Sequence, residues 1–539
     1  MQAILRGREF KSAVILALGV LLTRRFGQTL RDRSFQGLLT KWLLVMPVRM
    51  VLPVVVVYTV AKWKLKVESG SIRGTADALQ SSEARAVRVR ALQRAEISSW
   101  FNGAPVEALK RGNVRIWIAE YFFEGYEVDQ LTPSEEEEME DMVDYMEQWA
   151  RAKWEDGINE DVKVFRLTKD PLPSLHRPAI CYAMTHMMIP ALTSLAMTGP
   201  GLGMGFSKYR AGSLEYYFRP GMGRSGDMHL LPRFDEYTDQ RKMPIVFCHG
   251  IGLGLLPYLP VVHDIVRRFP DRDIFCVDMP HIACRPFVNL PSAREMSACV
   301  IDMLRAWRYS HCHVIGHSFG CILSRWILAY QPSIVRSLSL VDPVNFLLVK
   351  SDLLHNALKI DHSEPFGALA TYFSLRELYT VHTFCRNFFW EENIIWPEDL
   401  RDVPTHITLC GNDFIAPAHS TRNLLGVEKL ERAEIAEING ESVTERFAPL
   451  SVYWIPDGVH AEILFYGSSR REVLSRVEQL VSDSDEWPWV PKASRTASVA
   501  SKFISDRVAL SLVVKLGENA AMDYAGDGFD LGGSASERE

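Results

Sequence analysis

The sequence predicts an α/β protein with a mostly parallel sheet and helices on both faces. Three observations predict it. Over residues 206–482, short apolar runs of strand length alternate with segments of helical period. The turn Gly316-His317-Ser318-Phe319-Gly320 joins one such run, His313-Val314-Ile315, to a helical segment, Cys321–Tyr330. The side chains with the most chemistry to offer, Ser318, Asp413 and His460, each follow a strand-like run. That is the edge at which open α/β sheets bind ligands.

Composition narrows the class. The 539 residues are 47% hydrophobic and 23% charged, which allows a large core and excludes a wholly disordered or fibrous chain. A net charge of −6 offers no global basic surface for nucleic acid. The nine cysteines run from Cys181 to Cys410 without zinc-ligand spacing, and no N-x-S/T acceptor occurs. Both features favour a reducing compartment, with no metal and no cofactor expected.

Four regions follow in order. Residues 1–66 are apolar and basic and read as a membrane anchor. Trp42–Ala61 is twenty residues long with one charge, Arg49, which fits a bilayer span. Arg49 near its middle costs about 2.5–3.5 kcal/mol, which the valine-rich second half offsets. Residues 67–205 read as a helical linker region. Within it Thr132–Trp154 is predicted as a helix: Pro133 suits the first turn, Glu135–Glu138 complement the positive helix end, and Met139, Met142, Val143, Met146, Trp149 and Ala150 form one stripe. Residues 206–482 carry the chemistry. Residues 483–539 are rich in Ser, Ala, Asp and Gly and read as a largely disordered tail.

Within the third region, Ser318 is the candidate nucleophile. Glycines on both sides allow a tight strand-to-helix turn that projects the hydroxyl, and the helix start aims N–H groups at the same point. Upstream, Ser292 and Glu295 form a capping-box pattern for a helix with Met296, Cys299, Val300, Met303, Leu304 and Trp307 at helical spacing. The strand Pro244–Cys248 runs into His249-Gly250-Ile251-Gly252, a glycine-rich turn. Ile251 and Phe319 are the candidate N–H donors to an oxyanion. A serine hydroxyl needs a histidine to take its proton and an acid to orient that histidine. Position selects His460, after Ser451–Ile455 and a predicted turn Pro456–Val459, and Asp413, after His406–Cys410. Asp342, in Leu340-Val341-Asp342-Pro343 at the end of the strand after the nucleophile helix, competes with Asp413 for the acid's place and is less favoured. Asp457 suits a turn or cap. His249 and His317 read as wall residues or hydrogen-bonding supports, His311 and His313 as structural.

At this point the sequence resembles the α/β-hydrolase superfamily, in its serine esterase and lipase branch. The resemblance rests on the His249-Gly250 turn, the Gly316–Gly320 elbow, Gly411-Asn412-Asp413 and His460, in that order, and covers roughly Phe206–Val481. It implies Ser318 as nucleophile, Asp413 as acid and His460 as base. One departure stands out: where many members have a glycine-rich loop, this chain has Asp278-Met279-Pro280-His281-Ile282-Ala283-Cys284-Arg285-Pro286. Residues 343–403 resemble the helical cap that many members insert there. Their aromatic content, including Phe346, Phe366, Phe384 and Trp396, favours an apolar acyl chain. The expected function is a membrane-attached, cytosol-facing serine hydrolase acting on hydrophobic or lipid-like esters. An acyltransferase or thioesterase with the same triad, and a non-catalytic membrane-tethered binding protein on this fold, are the rival readings. Oligomeric state is not legible.

Overall fold

The computed structural model describes residues 94–486, apart from 124, 151, 200–202, 223–241, 288–289, 349–350, 359–370, 387–388 and 427–448. The expected membrane span Trp42–Ala61 and the expected tail 483–539, beyond residue 486, lie outside the described residues. By its contacts the chain divides into two units, Met1–Val67 with Arg177–Tyr182, and Glu68–His176 with Ala183–Glu539. The sheet and the candidate site lie in the second.

The N-terminal described elements are helical: α1 (Arg94–Trp100), α2 (Arg111–Phe122) and α3 (Pro133–Ala150). Met139, Met142, Val143, Met146 and Ala150 of α3 are buried, as the stripe predicted. The helix stops at Ala150 instead of continuing to Trp154. Glu147 causes the stop. Its carboxylate accepts from the Trp154 N–H at 2.9 Å, and the Trp154 indole donates to the Val106 carbonyl at 2.8 Å, so the chain turns away. Helix α4, Ala179–Thr198 with a π turn at Met184–Met188, is long and apolar enough to cross a membrane by length and composition alone.

The sheet has eight strands: β1 (Ser207–Ala211), β2 (Leu214–Arg219), β3 (Ile245–Cys248), β4 (Ile274–Asp278), β5 (Cys312–His317), β6 (Val335–Val341), β7 (Thr405–Asn412) and β8 (Leu450–Val459). Their spatial order is β1-β2-β4-β3-β5-β6-β7-β8. The β1–β2 and β2–β4 pairs are antiparallel and the rest parallel, as the alternating pattern predicted. Strands covered on both faces favour continuous apolar runs, and β3 is one. β3 reads Ile-Val-Phe-Cys and is buried at every position.

Period-two alternation divides these side chains between two cores. Helices α5 (Leu259–Arg268) and α10 (Gly467–Glu486) cover one face, where Ile245, Phe247, Cys276 and Ile315 pack with Val261, Ile265, Val473 and Val477. Helices α6 (Ala293–Ala306) and α7 (Gly320–Tyr330) cover the other. There Phe218 stacks on Trp307 with centroids 3.6 Å apart, and the Trp307 indole donates to the Tyr216 hydroxyl at 3.0 Å. The predicted capping box starts α6: Glu295 N–H donates to Ser292 Oγ at 3.2 Å, and Ser292 N–H to Glu295 Oε2 at 2.8 Å.

The described part of residues 343–403 includes helices α8 (Asp352–Leu358) and α9 (Leu378–Arg386) and a π turn at Thr371–Leu375. It is tied to the N-terminal helical residues: Arg376 donates to the Pro173 carbonyl at 2.8 Å, and Leu175 N–H to the Arg376 carbonyl at 2.9 Å.

Candidate active site

The site forms where the ends of β3, β5, β7 and β8 converge. Ser318 stands between β5 and α7 at φ +52°, in the left-handed region. L-residues with a Cβ rarely adopt this conformation, and it turns the side chain off the end of the strand. The turn is tight because β3 lies against it. A Cβ on Gly320 would fall 2.1 Å from the Cys248 carbonyl oxygen, and one on Gly250 would fall 2.8 Å from Ser318 Cβ. Glycine is required at both positions for space.

His460 follows β8 and Asp413 follows β7. The structure brings all three predicted side chains together. His460 Nε2 lies 2.9 Å from Ser318 Oγ, and His460 Nδ1 lies 2.7 Å from Asp413 Oδ2. The second Asp413 oxygen accepts the Ile415 and Ala416 N–H groups, each at 2.8 Å, which fixes the carboxylate plane. Ser318 is 8% and His460 5% exposed. Burial opposes a charge on His460, but the carboxylates of Asp413 and Asp342 outweigh it, so its pKa lies above the ordinary 6.5.

One sequence expectation is corrected here. Pro456–Val459 is not a turn: β8 continues through it to Val459, still paired with β7 past an irregularity at Cys410–Asn412. The strands stay paired because they approach too closely for side chains at the glycines. A Cβ on Gly411 would meet the Pro456 carbonyl oxygen at 2.1 Å. Asp457 is exposed on this strand extension, so the turn expected to hold it does not form.

The glycine-rich loop after β3 is held on both sides of Ile251. Gly250 N–H donates to the Tyr258 hydroxyl at 2.9 Å, and Gly252 N–H to the Ile282 carbonyl at 3.0 Å. Ile251 N–H, between them, has no acceptor among the described residues. Phe319, next to Ser318, caps α7 with helical φ −60° and ψ −22°. His249 is a hydrogen-bonding support. Its Nε2 accepts the Met279 N–H at 3.0 Å, which places its proton on Nδ1, 2.8 Å from the Gly250 carbonyl. Burial lowers its pKa to about 4, so the ring is neutral. The unusual segment after β4 therefore does specific work: Met279 and Ile282 hold the loop after β3, and the His281 carbonyl accepts from Thr383 of α9 at 2.9 Å. Arg285 pairs with Asp278 in the same loop.

Asp342 does not bond the His460 ring. Its Oδ2 accepts the Ala461 N–H at 2.9 Å and faces His317 Nε2 at 3.5 Å. Sequence reasoning missed Tyr258, whose hydroxyl also lies 2.7 Å from His317 Nδ1. A tyrosine in Leu256-Pro257-Tyr258-Leu259 carries no signal that separates it from a core aromatic. His313 is buried and bonds Ser337 Oγ at 2.7 Å, and His311 bonds Ser310 Oγ at 2.9 Å, both away from the triad. Among the described residues no group of His, Cys, Asp and Glu side chains could hold a metal ion.

Residues 243–378 match the family model of the alpha/beta hydrolase fold. Sheet order, elbow and family match together define an α/β-hydrolase fold, and the resemblance drawn from the motifs stands. Among characterised proteins, the chain is similar to the sn-1-specific diacylglycerol lipase ABHD11 of Xenopus laevis, 26% identical over 99 residues. That match spans 18% of this chain and 31% of the relative, so the chain matches about a third of that relative's length. Among solved structures it is similar to naproxen esterase (carboxylesterase NP) from Bacillus subtilis, at 16% identity and a TM-score of 0.36, covering 57% of this chain and 99% of that one. It is also similar to a bacterial membrane phospholipase A, at 13% identity and a TM-score of 0.36, covering 56% of this chain and 94% of that one.

Proposed function

We propose that this chain is a membrane-attached serine hydrolase that cleaves hydrophobic acyl esters, with Ser318 as nucleophile, His460 as general base and Asp413 as the acid that orients it. The observation that carries this reading is the unbroken hydrogen-bonded series Ser318–His460–Asp413, at 2.9 and 2.7 Å. His460 Nε2 takes the Ser318 proton as Oγ bonds to the ester carbonyl carbon. The carbonyl oxygen becomes an oxyanion held by the N–H groups of Ile251 and Phe319, each worth about 3–4 kcal/mol in such a role. Collapse breaks the ester C–O bond, and His460 hands its proton to the leaving alcohol. Water then repeats the sequence on the acyl-enzyme and releases the acid. Residues 343–403 would act as a cap, since Thr383 and the Phe373 carbonyl meet the loop that carries His281 and Cys284.

Membrane attachment rests on the span-length run Trp42–Ala61 and on α4. No Asp, Glu, Lys or Arg occurs from Ala179 to Thr198. Met187 is 73% and Leu195 54% exposed, which places large apolar side chains in solvent. All nine cysteines are free, which supports a cytosol-facing catalytic domain. The test is fluorophosphonate labelling of the purified full chain. Ser318→Ala should abolish labelling, with thermal unfolding unchanged. Labelling that persists at another residue would remove Ser318 as nucleophile.

A further inference from the structure

Behind the triad lies a second buried polar series that the hydrolytic steps do not use. Gly250 N–H, in the oxyanion loop, donates to Tyr258 Oη at 2.9 Å. Tyr258 Oη has already accepted that proton donor, so its own hydrogen is directed to His317 Nδ1, 2.7 Å away. His317 then carries its ring proton on Nε2, which faces Asp342 Oδ2 at 3.5 Å. The same carboxylate oxygen accepts the N–H of Ala461, the residue after His460, at 2.9 Å. Tyr258, His317 and Asp342 are each at most 3% exposed.

Backbone strain collects along this series. Ser318, Asp342 and Ala461 have φ of +52°, +46° and +66° without being glycine. Such conformations persist only where surrounding bonds over-determine them. Ser318 N–H is held by the Val341 carbonyl at 2.9 Å, Asp342 N–H by the Thr408 carbonyl at 3.0 Å, and Ala461 N–H by Asp342.

Resting on the reading of Ser318 and His460 given above, we propose that Tyr258, His317 and Asp342 are positioning residues that couple the oxyanion loop to the base loop, with Asp342 as the common anchor. The acid's place is taken by Asp413. Asp342 instead sets where the peptide after His460 sits, and through His317 and Tyr258 it sets where Gly250, and so Ile251, sits.

The experiment compares Tyr258→Phe, Asp342→Asn and the double variant in the full chain. Phenylalanine keeps the ring volume and leaves Gly250 N–H without its acceptor. Asparagine removes the charge at the oxygen that serves both Ala461 N–H and His317 Nε2. An amide oxygen there is a weaker acceptor for both, and an amide nitrogen there leaves Ala461 N–H without its acceptor and turns the His317 ring proton to Nδ1, against Tyr258 Oη. Each single variant should lower kcat on a soluble ester about 10- to 100-fold with KM unchanged. The double variant should be no worse than the poorer single variant, because both cut one series. Asp342→Asn should also shift the acidic limb of kcat/KM to lower pH. The groups facing His460 are Asp413, Asp342 and His317, and this variant removes one of the two negative charges. A purely structural role would lower thermal stability, leave kcat per folded molecule unchanged and make the two effects add; that result overturns the proposal. Failure of the triad reading is distinct, because it appears as labelling that survives Ser318→Ala.

Discussion

Side chain by side chain, the proposed reaction works through the protonation of His460. The ring takes the Ser318 proton only when neutral. Burial disfavours the imidazolium, but Asp413 and Asp342 favour it more, so the ring deprotonates above the ordinary 6.5. The rate of fluorophosphonate labelling should therefore rise with pH through a limb above pH 6.5 and level off once His460 is neutral. A limb below that value in the wild-type chain would contradict the two-carboxylate environment. Asp413→Asn keeps an oxygen for the Ile415 and Ala416 N–H groups and so turns its amide N–H, a donor, toward His460 Nδ1. Labelling should fall on the order of 10⁴-fold with folding intact, as seen by circular dichroism, because the imidazole is then held in the wrong tautomer. His249 and His317 are both buried with lowered pKa values, and neither supplies a competing proton acceptor at neutral pH.

At the scale of elements, the glycines let β3 and β5 meet. The two strands run side by side, Cys248 opposite Gly316, and the elbow folds back over the end of β3. Gly320 sits where α7 begins, with the Cys248 carbonyl oxygen 2.1 Å from where a Cβ would stand. No flexible side chain can give way there, since the clash is with backbone. Gly320→Ala should destabilise the fold by about 1–3 kcal/mol or more, read as a lowered denaturant midpoint. It should also displace Ser318 from His460, so labelling should fall in the molecules that remain folded. Helix boundaries belong to this scale as well. Periodicity located α3 and its stripe, and local chemistry located the capping box of α6. The end of α3 was not legible, because the Glu147 carboxylate that stops it does so by bonding Trp154, whose indole is held by Val106 from a distant part of the chain. β8 outran its predicted end for a related reason: Pro456, Asp457 and Gly458 are turn residues by local preference, and pairing with β7 overrode that preference.

For the whole molecule, the described residues combine a buried site with an exposed apolar helix, α4. The uncharged face of α4 leaves Leu192 and Leu195 exposed, at 43% and 54%. Burying them in a lipid interface would contribute about 1–2 kcal/mol each. Leu192→Ser with Leu195→Ser should weaken partitioning of the full chain to phosphatidylcholine vesicles about tenfold or more, and slow hydrolysis of a vesicle-embedded ester while a soluble ester is cleaved as before. Equal rates on both substrates, with partitioning unchanged, would remove α4 from the membrane contact. The residue patterns alone determined the alternation of strands and helices over 206–482, the elbow around Ser318, and the order Ser318, Asp413, His460. These follow from periodicity and from turn chemistry that acts over a few neighbouring residues. Only the tertiary structure decided what Asp342 does instead, gripping Ala461 N–H and facing His317, and that Tyr258 braces the loop after β3. Those contacts join residues far apart in the chain, and sheet order and loop path, which settle them, leave no local trace in the sequence.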